Sequence, residues 1–241
     1  MKRRTKVLWS LLVVILLALG IGYGTVKSKI HQPSVAATTA LKTATRTTSK
    51  YTFFKGDGKH KQPAVIFYPG ALVEPGSYSI WAHQLAQKGY NVYVMHFPLD
   101  LAVLAGNQAN AVPTKVRHNY VIGGHSLGGV MASRYAAKHT SGLKGVFYLA
   151  SYPDKKGRLD QTNVKGLSVT GSRDGVLNWS SYRKSKTYLP KSTQFVTLKG
   201  GNHGGFGSYG HQKGDRQATI SQAKQQRLIS TTLAKWLAQL N

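Results

Sequence analysis

The chain has 241 residues and no cysteine, which excludes disulfide bonds, thiolate metal sites and a cysteine nucleophile. It carries 33 Lys and Arg against 7 Asp and Glu, a formal net charge of +26. This excess of positive charge suggests nucleic acid or an anionic membrane or cell wall as a partner. The basic residues are scattered singly and are not interleaved with aromatic residues, so we expect no nucleic-acid partner. Anionic cell-envelope polymers and a solvated basic surface without a partner remain alternatives.

The first thirty residues predict a membrane anchor or a signal segment. An uncharged stretch runs from Val7 to Val26 behind a basic flank, Met1 to Lys6. At ~1.5 Å per residue it would form a helix of about 30 Å, the thickness of the hydrocarbon core. Because the stretch is long for a signal peptide, the sequence favours an uncleaved single-pass anchor in the cell membrane. The rest of the chain would lie outside the cytoplasm, and cleavage would make it a secreted protein.

Residues 31–50 are rich in Thr, Ala and Lys and show no sustained apolar period. This composition predicts a flexible linker. The folded domain is therefore expected to span residues 51–241.

Short apolar runs that are rich in β-branched and aromatic residues predict strands buried on both faces. They occupy residues 64–68, 91–97, 119–123, 145–150, 166–171 and 194–198. The stretch YTFFKGDG, which begins at Tyr51, predicts an additional antiparallel edge strand.

Helical patterns separate these runs and place apolar residues on one side of each segment. They lie at about 77–88, 100–111, 127–139, 179–187 and 217–240. The alternation of strands and helices predicts an α/β fold with a mostly parallel central sheet flanked by helices.

The stretch VIGGHSLGGVMAS contains a G-x-S-x-G pattern centred on Ser126. In such a pattern the serine lies on a strained turn between a strand and a helix, and its small neighbours avoid clashes there. Ser126 follows the predicted strand at 119–123 and precedes the predicted helix at 127–139. We therefore expect Ser126 to be a nucleophile, although a helix N-cap would give the same local pattern.

A serine nucleophile needs a histidine base, and the base is usually held by a carboxylate. Of the histidines that follow Ser126, only His203 comes directly after a predicted strand, in QFVTLKGGNHGGFG. His203 is therefore the expected base, and His211 is the reserve. His125, beside the serine, is expected to have a packing role.

Asp174 follows the penultimate predicted strand, in GLSVTGSRDGVLNW, and is the expected acid. Its role would be to accept the Nδ1 proton of His203 and to stabilise the imidazolium. A turn-forming aspartate is the alternative interpretation of this position. Asp154, after the preceding strand, is the second candidate.

The oxyanion formed in acyl transfer needs two backbone N–H donors. One is expected to be Leu127, directly after the nucleophile, and the other Ala71, in the loop FYPGALVEPGSYS, with Leu72 next. Glu74 lies in the same loop, and either a salt bridge or a pocket-shaping role remains open for it. Aromatic residues that could line either a pocket or the core are Trp81, Phe97, Trp179, Phe206 and Tyr209.

Taken together, these stretches resemble the α/β-hydrolase superfamily, in particular its small bacterial branch related to dienelactone hydrolases. The resemblance rests on the stretch from Val65 through Leu104, on VIGGHSLGGVMAS, on VTGSRDGV and on GGNHGGFGSYGHQKGD. It extends over roughly residues 62–240 and implies a Ser126–Asp174–His203 triad that hydrolyses an ester or related acyl bond. There is no insertion long enough for a lid domain, and Pro69-Gly70-Ala71 stands where lipases often carry His-Gly-Gly.

We therefore expect a membrane-anchored serine hydrolase that acts on small-molecule esters and needs neither a metal nor a cofactor. The alternative is a non-catalytic envelope-binding module with the same fold, whose basic surface holds anionic polymers.

Overall fold

The computed structural model describes residue 20 and residues 22–57 and 62–240, and the chain divides into two compact units, residues 1–30 and 31–241. In the first unit, residues 22–27 are helical. The predicted anchor, Val7–Val26, falls mostly outside the described residues. Among the residues that are described, no helix combines the length and the hydrophobicity needed to span a membrane.

An eight-stranded sheet forms the centre of the second unit over residues 31–57 and 62–240, in the order β1-β2-β4-β3-β5-β6-β7-β8. Neighbouring strands from β4 to β8 pair in parallel, and β1 and β2 form an antiparallel edge. The predicted fold class is confirmed for this unit. The strands are β1 Arg46–Thr47, β2 Tyr51–Phe54, β3 Ala64–Tyr68, β4 Val92–Met95, β5 Tyr120–His125, β6 Leu143–Leu149, β7 Lys165–Gly171 and β8 Gln194–Leu198.

In the described residues, four α-helices of this unit follow β3, β5, β7 and β8, and 3₁₀ turns connect β4 to β5 and β6 to β7. The α-helices in these residues are α1 Val35–Leu41, α2 Ser79–Ala86, α3 Leu127–Ala136, α4 Trp179–Ser185 and α5 Gln222–Leu237. Short 3₁₀ turns lie at Pro75–Tyr78, Pro98–Asp100, Ala102–Leu104, Gln108–Ala111, Lys155–Gly157, Lys186–Tyr188 and Gly204–Phe206.

Apolar side chains cover both faces of the sheet, as the uninterrupted apolar runs predict. On one face α2 and α5 contribute buried residues such as Trp81 and Trp236, which pack with Val121 of β5. On the other face α3 contributes Tyr135, which belongs to the same cluster as Ile122 of β5. Consecutive residues of one strand thus point into two different cores. Packing on both faces therefore supports each strand up to the turn that follows it.

The prediction of a flexible linker over residues 31–50 is wrong. The segment contains α1 and β1, and the second unit begins at His31. Ser34 caps α1 by accepting a hydrogen bond from the Ala37 N–H at 3.2 Å, and Ala37 is fully buried. The segment packs through a few small residues, which is too little apolar surface to produce a periodic signal in the sequence.

The predicted helix over residues 100–111 is also replaced, by three 3₁₀ turns. Leu99 and Asp100 have φ of 53° and 52°, which a continuous α-helix cannot contain. The Tyr68 hydroxyl holds the irregular chain by accepting from the Ala109 N–H and donating to the Gly106 carbonyl. A buried side chain from β3 therefore supplies the hydrogen bonds that a helix would have made internally.

Candidate active site

Ser126 occupies a sharp turn between β5 and α3, as the glycine pattern predicts. Its backbone has φ 50° and ψ −127°, an unfavourable conformation for a residue with a side chain. A Cβ atom on Gly124 would lie 2.5 Å from the Gly128 carbonyl carbon, and one on Gly128 would overlap the carbonyl oxygens of Tyr68 and Pro69. The two glycines allow the helix to approach the end of β3 closely, and this approach fixes the serine above the sheet.

Asp174 and His203 form a buried pair at the ends of β7 and β8. His203 Nδ1 lies 2.9 Å from Asp174 Oδ2, and the two residues are 1% and 0% exposed. Asp174 Oδ1 accepts hydrogen bonds from the N–H groups of Val176 at 2.9 Å and Leu177 at 2.8 Å. The carboxylate is therefore fixed by two amides, and its second oxygen orients the imidazole.

The remaining nitrogen of His203, Nε2, is buried and has no hydrogen-bond partner among the described residues. With Nδ1–H donating to Asp174, Nε2 is the basic nitrogen of the neutral ring. Ser126 and His203 line the same cavity. A buried acceptor without a partner is costly in a folded protein, and such groups are typical of functional sites.

The other candidates of the sequence analysis lie elsewhere. Asp154 forms an ion pair with Arg134 and caps the 3₁₀ turn at Lys155–Gly157, where its Oδ1 accepts from the Gly157 N–H at 3.0 Å. The hydrogen bonds and charge of Arg134 hold the pKa of the Asp154 carboxyl below its usual range, against the opposing effect of burial. His211 is exposed. Neither residue takes part in the buried pair.

The two predicted oxyanion donors are free to bind a ligand. Within the described part of the chain, the N–H groups of Ala71 and Leu127 donate no hydrogen bond. The N–H of Leu72, the second candidate, donates to the Asp100 carbonyl at 2.9 Å and is thereby occupied. The arrangement therefore favours Ala71 over Leu72 as the partner of Leu127.

The cavity at Ser126 has a volume of about 230 Å³. Its wall contains the side chains of Leu127, Val130, Ala150, Tyr152, Val176 and Leu177. The aromatic candidates named above do not line it; Trp81 and Phe206 are fully buried in the core. No local sequence signal marks these wall residues, because they come from the first turns of α3 and from the loops after β6 and β7, which meet only in the fold.

The profile of the alpha/beta hydrolase family matches residues 64–227, more than half of the chain. The chain belongs to the α/β hydrolase family. The match begins at β3 and includes the elbow at Ser126, Asp174 and His203. No curated protein sequence matches the chain significantly.

Solved structures of other family members share the fold at low sequence identity. An α/β hydrolase enzyme from the metagenome of lagoon sediments at Mar Chica, Morocco, is 15% identical with a TM-score of 0.59, covering 80% of this chain and 97% of its own. Monoacylglycerol lipase from Paleococcus ferrophilus is 13% identical with a TM-score of 0.60, covering 79% and 98%. Dienelactone hydrolase from Anabaena variabilis is 14% identical with a TM-score of 0.56, covering 78% and 90%.

One further contact at the site was missed by the sequence analysis. The Tyr78 hydroxyl accepts a hydrogen bond from the Gly70 N–H at 2.9 Å and lies 2.9 Å from His125 Nδ1. Both side chains are buried, and burial together with the nearby His203 lowers the pKa of His125 well below its usual value. His125 is therefore neutral, and its contact with the Tyr78 hydroxyl ties the loop carrying Ala71 to the residue that precedes Ser126.

Two carboxylates lie beside the same loop. Burial, with a smaller contribution from the negative charge of Glu74, raises the pKa of Asp100 to about 6. Glu74 begins the 3₁₀ turn at Pro75–Tyr78, and its N–H donates to the His31 carbonyl at 3.0 Å. Glu74 forms no ion pair among the described residues, and its negative charge acts on Asp100; a pocket-shaping role for Glu74 stays a prediction.

Proposed function

We propose that this chain is a serine hydrolase that cleaves an ester or related acyl bond through Ser126, His203 and Asp174. The observation that carries the proposal is the free Nε2 of His203. It belongs to an imidazole that Asp174 holds in one orientation, and it lies at the cavity that Ser126 lines. A protein that only binds a ligand has no need of a buried basic nitrogen that lacks a hydrogen-bond partner beside a serine in a strained backbone conformation.

The first half of the reaction is acylation. Ser126 Oγ attacks the carbonyl carbon of the ester while its proton passes to His203 Nε2. The carbonyl oxygen becomes an oxyanion and is held by the N–H groups of Leu127 and Ala71. As the carbon–oxygen bond to the alcohol breaks, the imidazolium returns the proton to the departing oxygen. Asp174 stabilises the imidazolium throughout this step.

The second half is hydrolysis of the acyl-enzyme. A water molecule gives one proton to His203 Nε2 and its oxygen bonds to the acyl carbon, forming a second oxyanion in the same place. The bond to Ser126 Oγ then breaks, and Ser126 recovers its proton from His203. The products are a carboxylic acid and an alcohol, and the chain returns to its starting state.

The direct test combines active-site labelling with turnover. Wild-type protein should react with a fluorophosphonate probe, and mass spectrometry should locate the adduct on Ser126. Ser126→Ala should lose labelling and p-nitrophenyl acetate hydrolysis with a nearly unchanged melting temperature. Ser141→Ala, at an exposed serine, is the matched control and should retain both. Native wild-type protein that resists the probe and hydrolyses no ester would refute the proposal, and retained binding of anionic polymers by Ser126→Ala would then support an envelope-binding module.

We also propose that the domain acts outside the cytoplasm, anchored by its first thirty residues. The support is the uncharged stretch behind a basic flank in the sequence. A tag at the C-terminus should be cleaved by protease added to intact cells and should fractionate with membranes. A tag protected in intact cells and cleaved only after lysis would contradict this location.

A further inference from the structure

The cavity at Ser126 also carries information about the substrate, and the inference drawn from it rests on the proposed function. We propose that the cavity holds the acyl group of the substrate and that this group is short and uncharged, with roughly two to four carbons. The net charge of +26 alone would suggest an anionic substrate. The wall of the cavity argues otherwise.

The wall carries no cation that could pair with an anionic acyl group. Apart from His203, the described residues that line the cavity include no Lys, Arg, Asp or Glu. The Arg216 guanidinium is engaged by the Asp174 carbonyl, to which it donates at 2.9 Å. A carboxylate placed in the cavity would lose hydration without gaining a Lys or Arg partner, which is unfavourable. The excess of Lys and Arg in the chain therefore does not serve to bind a substrate anion in this cavity.

The volume limits the length of the group. At 230 Å³ the cavity is smaller than sites that hold drug-sized ligands, which begin at about 300 Å³. At about 30 Å³ for a water-sized group, it has room for roughly seven or eight non-hydrogen groups. The reacting carbonyl and the ester oxygen take three of these positions. The four or five positions that remain accommodate the one to three further carbons of the proposed acyl group, but not the seven of an octanoyl group. Val130 and Val176 are among the apolar residues that line this space.

The enclosed side of the cavity suits the acyl part of the ester better than its alcohol part. Ala150, Ser151 and Leu177 at the wall are buried, whereas Asn178 at the same cavity is exposed. After the alcohol departs, the acyl group stays bonded to Ser126 and water must reach its carbon. The alcohol therefore fits the side of the cavity that is open to solvent, and the acyl group fits the side that is lined by buried residues.

The first experiment measures kcat/KM for p-nitrophenyl acetate, butyrate and octanoate and for the monoester of succinic acid. Acetate and butyrate should exceed octanoate by about 10–100-fold, and butyrate should exceed the succinyl ester of similar length by a comparable factor. A series of alkyl acetates should vary much less. Preference for octanoate or the succinyl ester, or a steeper dependence on the alcohol than on the acyl chain, would overturn the inference.

The second experiment changes the wall. Val130→Phe should reduce kcat/KM for butyrate by about 10-fold more than for acetate, and Val176→Ala should raise the octanoate-to-acetate ratio by a similar factor. Val116→Phe, the same change at a half-buried valine outside the cavity, should leave all ratios unchanged. The rate of fluorophosphonate labelling reports whether each variant retains an active serine. Labelled, active variants with unaltered ratios would refute the acyl assignment and leave the serine mechanism intact, whereas failure of wild type to be labelled would refute the mechanism itself.

Discussion

Replacing Tyr78 with phenylalanine should loosen the loop that carries Gly70 and Ala71 from the turn at Ser126. The substitution removes only a hydroxyl, but that hydroxyl joins the Gly70 N–H to His125 Nδ1 through two contacts of 2.9 Å in a fully buried position. Each of the two groups left without a partner costs about 1–3 kcal/mol, so the free energy of unfolding should fall by about 2–6 kcal/mol.

The effect on catalysis should be specific to the transition state. Complete loss of one oxyanion donor lowers kcat by about 10²–10³. Gly70 remains packed against His125, where a Cβ would lie 2.8 Å from Nδ1, so the loop should loosen without leaving the site. We therefore expect kcat to fall by about 10-fold with KM nearly unchanged, a smaller loss than that of a whole donor.

The assay is steady-state hydrolysis of p-nitrophenyl butyrate well below the melting temperature, paired with inhibition by a trifluoromethyl ketone that forms an oxyanion on the serine. The inhibition constant should rise by the same factor as kcat/KM falls. Tyr148→Phe is the matched control, because Tyr148 is equally buried and its hydroxyl lies 2.6 Å from Ser133 Oγ, in the other core cluster. Equal losses of stability in the two variants, with unchanged kcat in both, would refute the role assigned to Tyr78.

Three further outcomes are expected. Asp174→Asn should lower kcat by about 10³–10⁴ in stopped assays with little change in KM, because the amide no longer fixes the His203 tautomer; a loss below about 10-fold would contradict this. Gly128→Ala should abolish activity and lower the melting temperature in a thermal scan, since its methyl group overlaps the Pro69 carbonyl oxygen, and a stable, active variant would be incompatible with the turn. Asp100 has a raised pKa of about 6 because of burial and the charge of Glu74, so its ionisation above that pH destabilises the fold. Asp100→Asn should therefore melt at a higher temperature than wild type above pH 6, with the difference disappearing towards pH 4; a gain that is independent of pH would contradict the assignment.

The sequence places Ser126, Asp174 and His203 at the ends of strands, as the structure has them, because local chemistry constrains these positions. Only small residues fit two positions before and two positions after Ser126, and this requirement appears directly as G-x-S-x-G. Asp174 and His203 could be chosen because few carboxylates and histidines follow strands after the serine, and their hydrogen bond is present in the structure. The parallel strands were recognisable because both of their faces are buried.

The predictions that fail concern segments whose conformation is set by distant contacts. Residues 100–111 have a helical pattern, but the turn at Leu99 and Asp100 and the hydroxyl of Tyr68 impose 3₁₀ turns instead. The role of Tyr78 was invisible because a tyrosine at the start of a helical pattern normally indicates core packing. The wall of the cavity likewise depends on how the start of α3 and the loops after β6 and β7 converge, which no local pattern encodes.

The segment that replaces the expected linker is joined to both loops of the site. The His31 N–H donates to the Leu72 carbonyl at 2.7 Å, next to Ala71, and the Ser34 N–H donates to the Ser208 carbonyl at 2.7 Å, a few residues beyond His203. A domain boundary drawn at Tyr51 would keep Ser126, Asp174 and His203 but would remove the two hydrogen bonds that hold the loop of Ala71 and the loop after His203. A pulling force applied to the chain before His31 would load these two hydrogen bonds before it loaded the strands of the sheet.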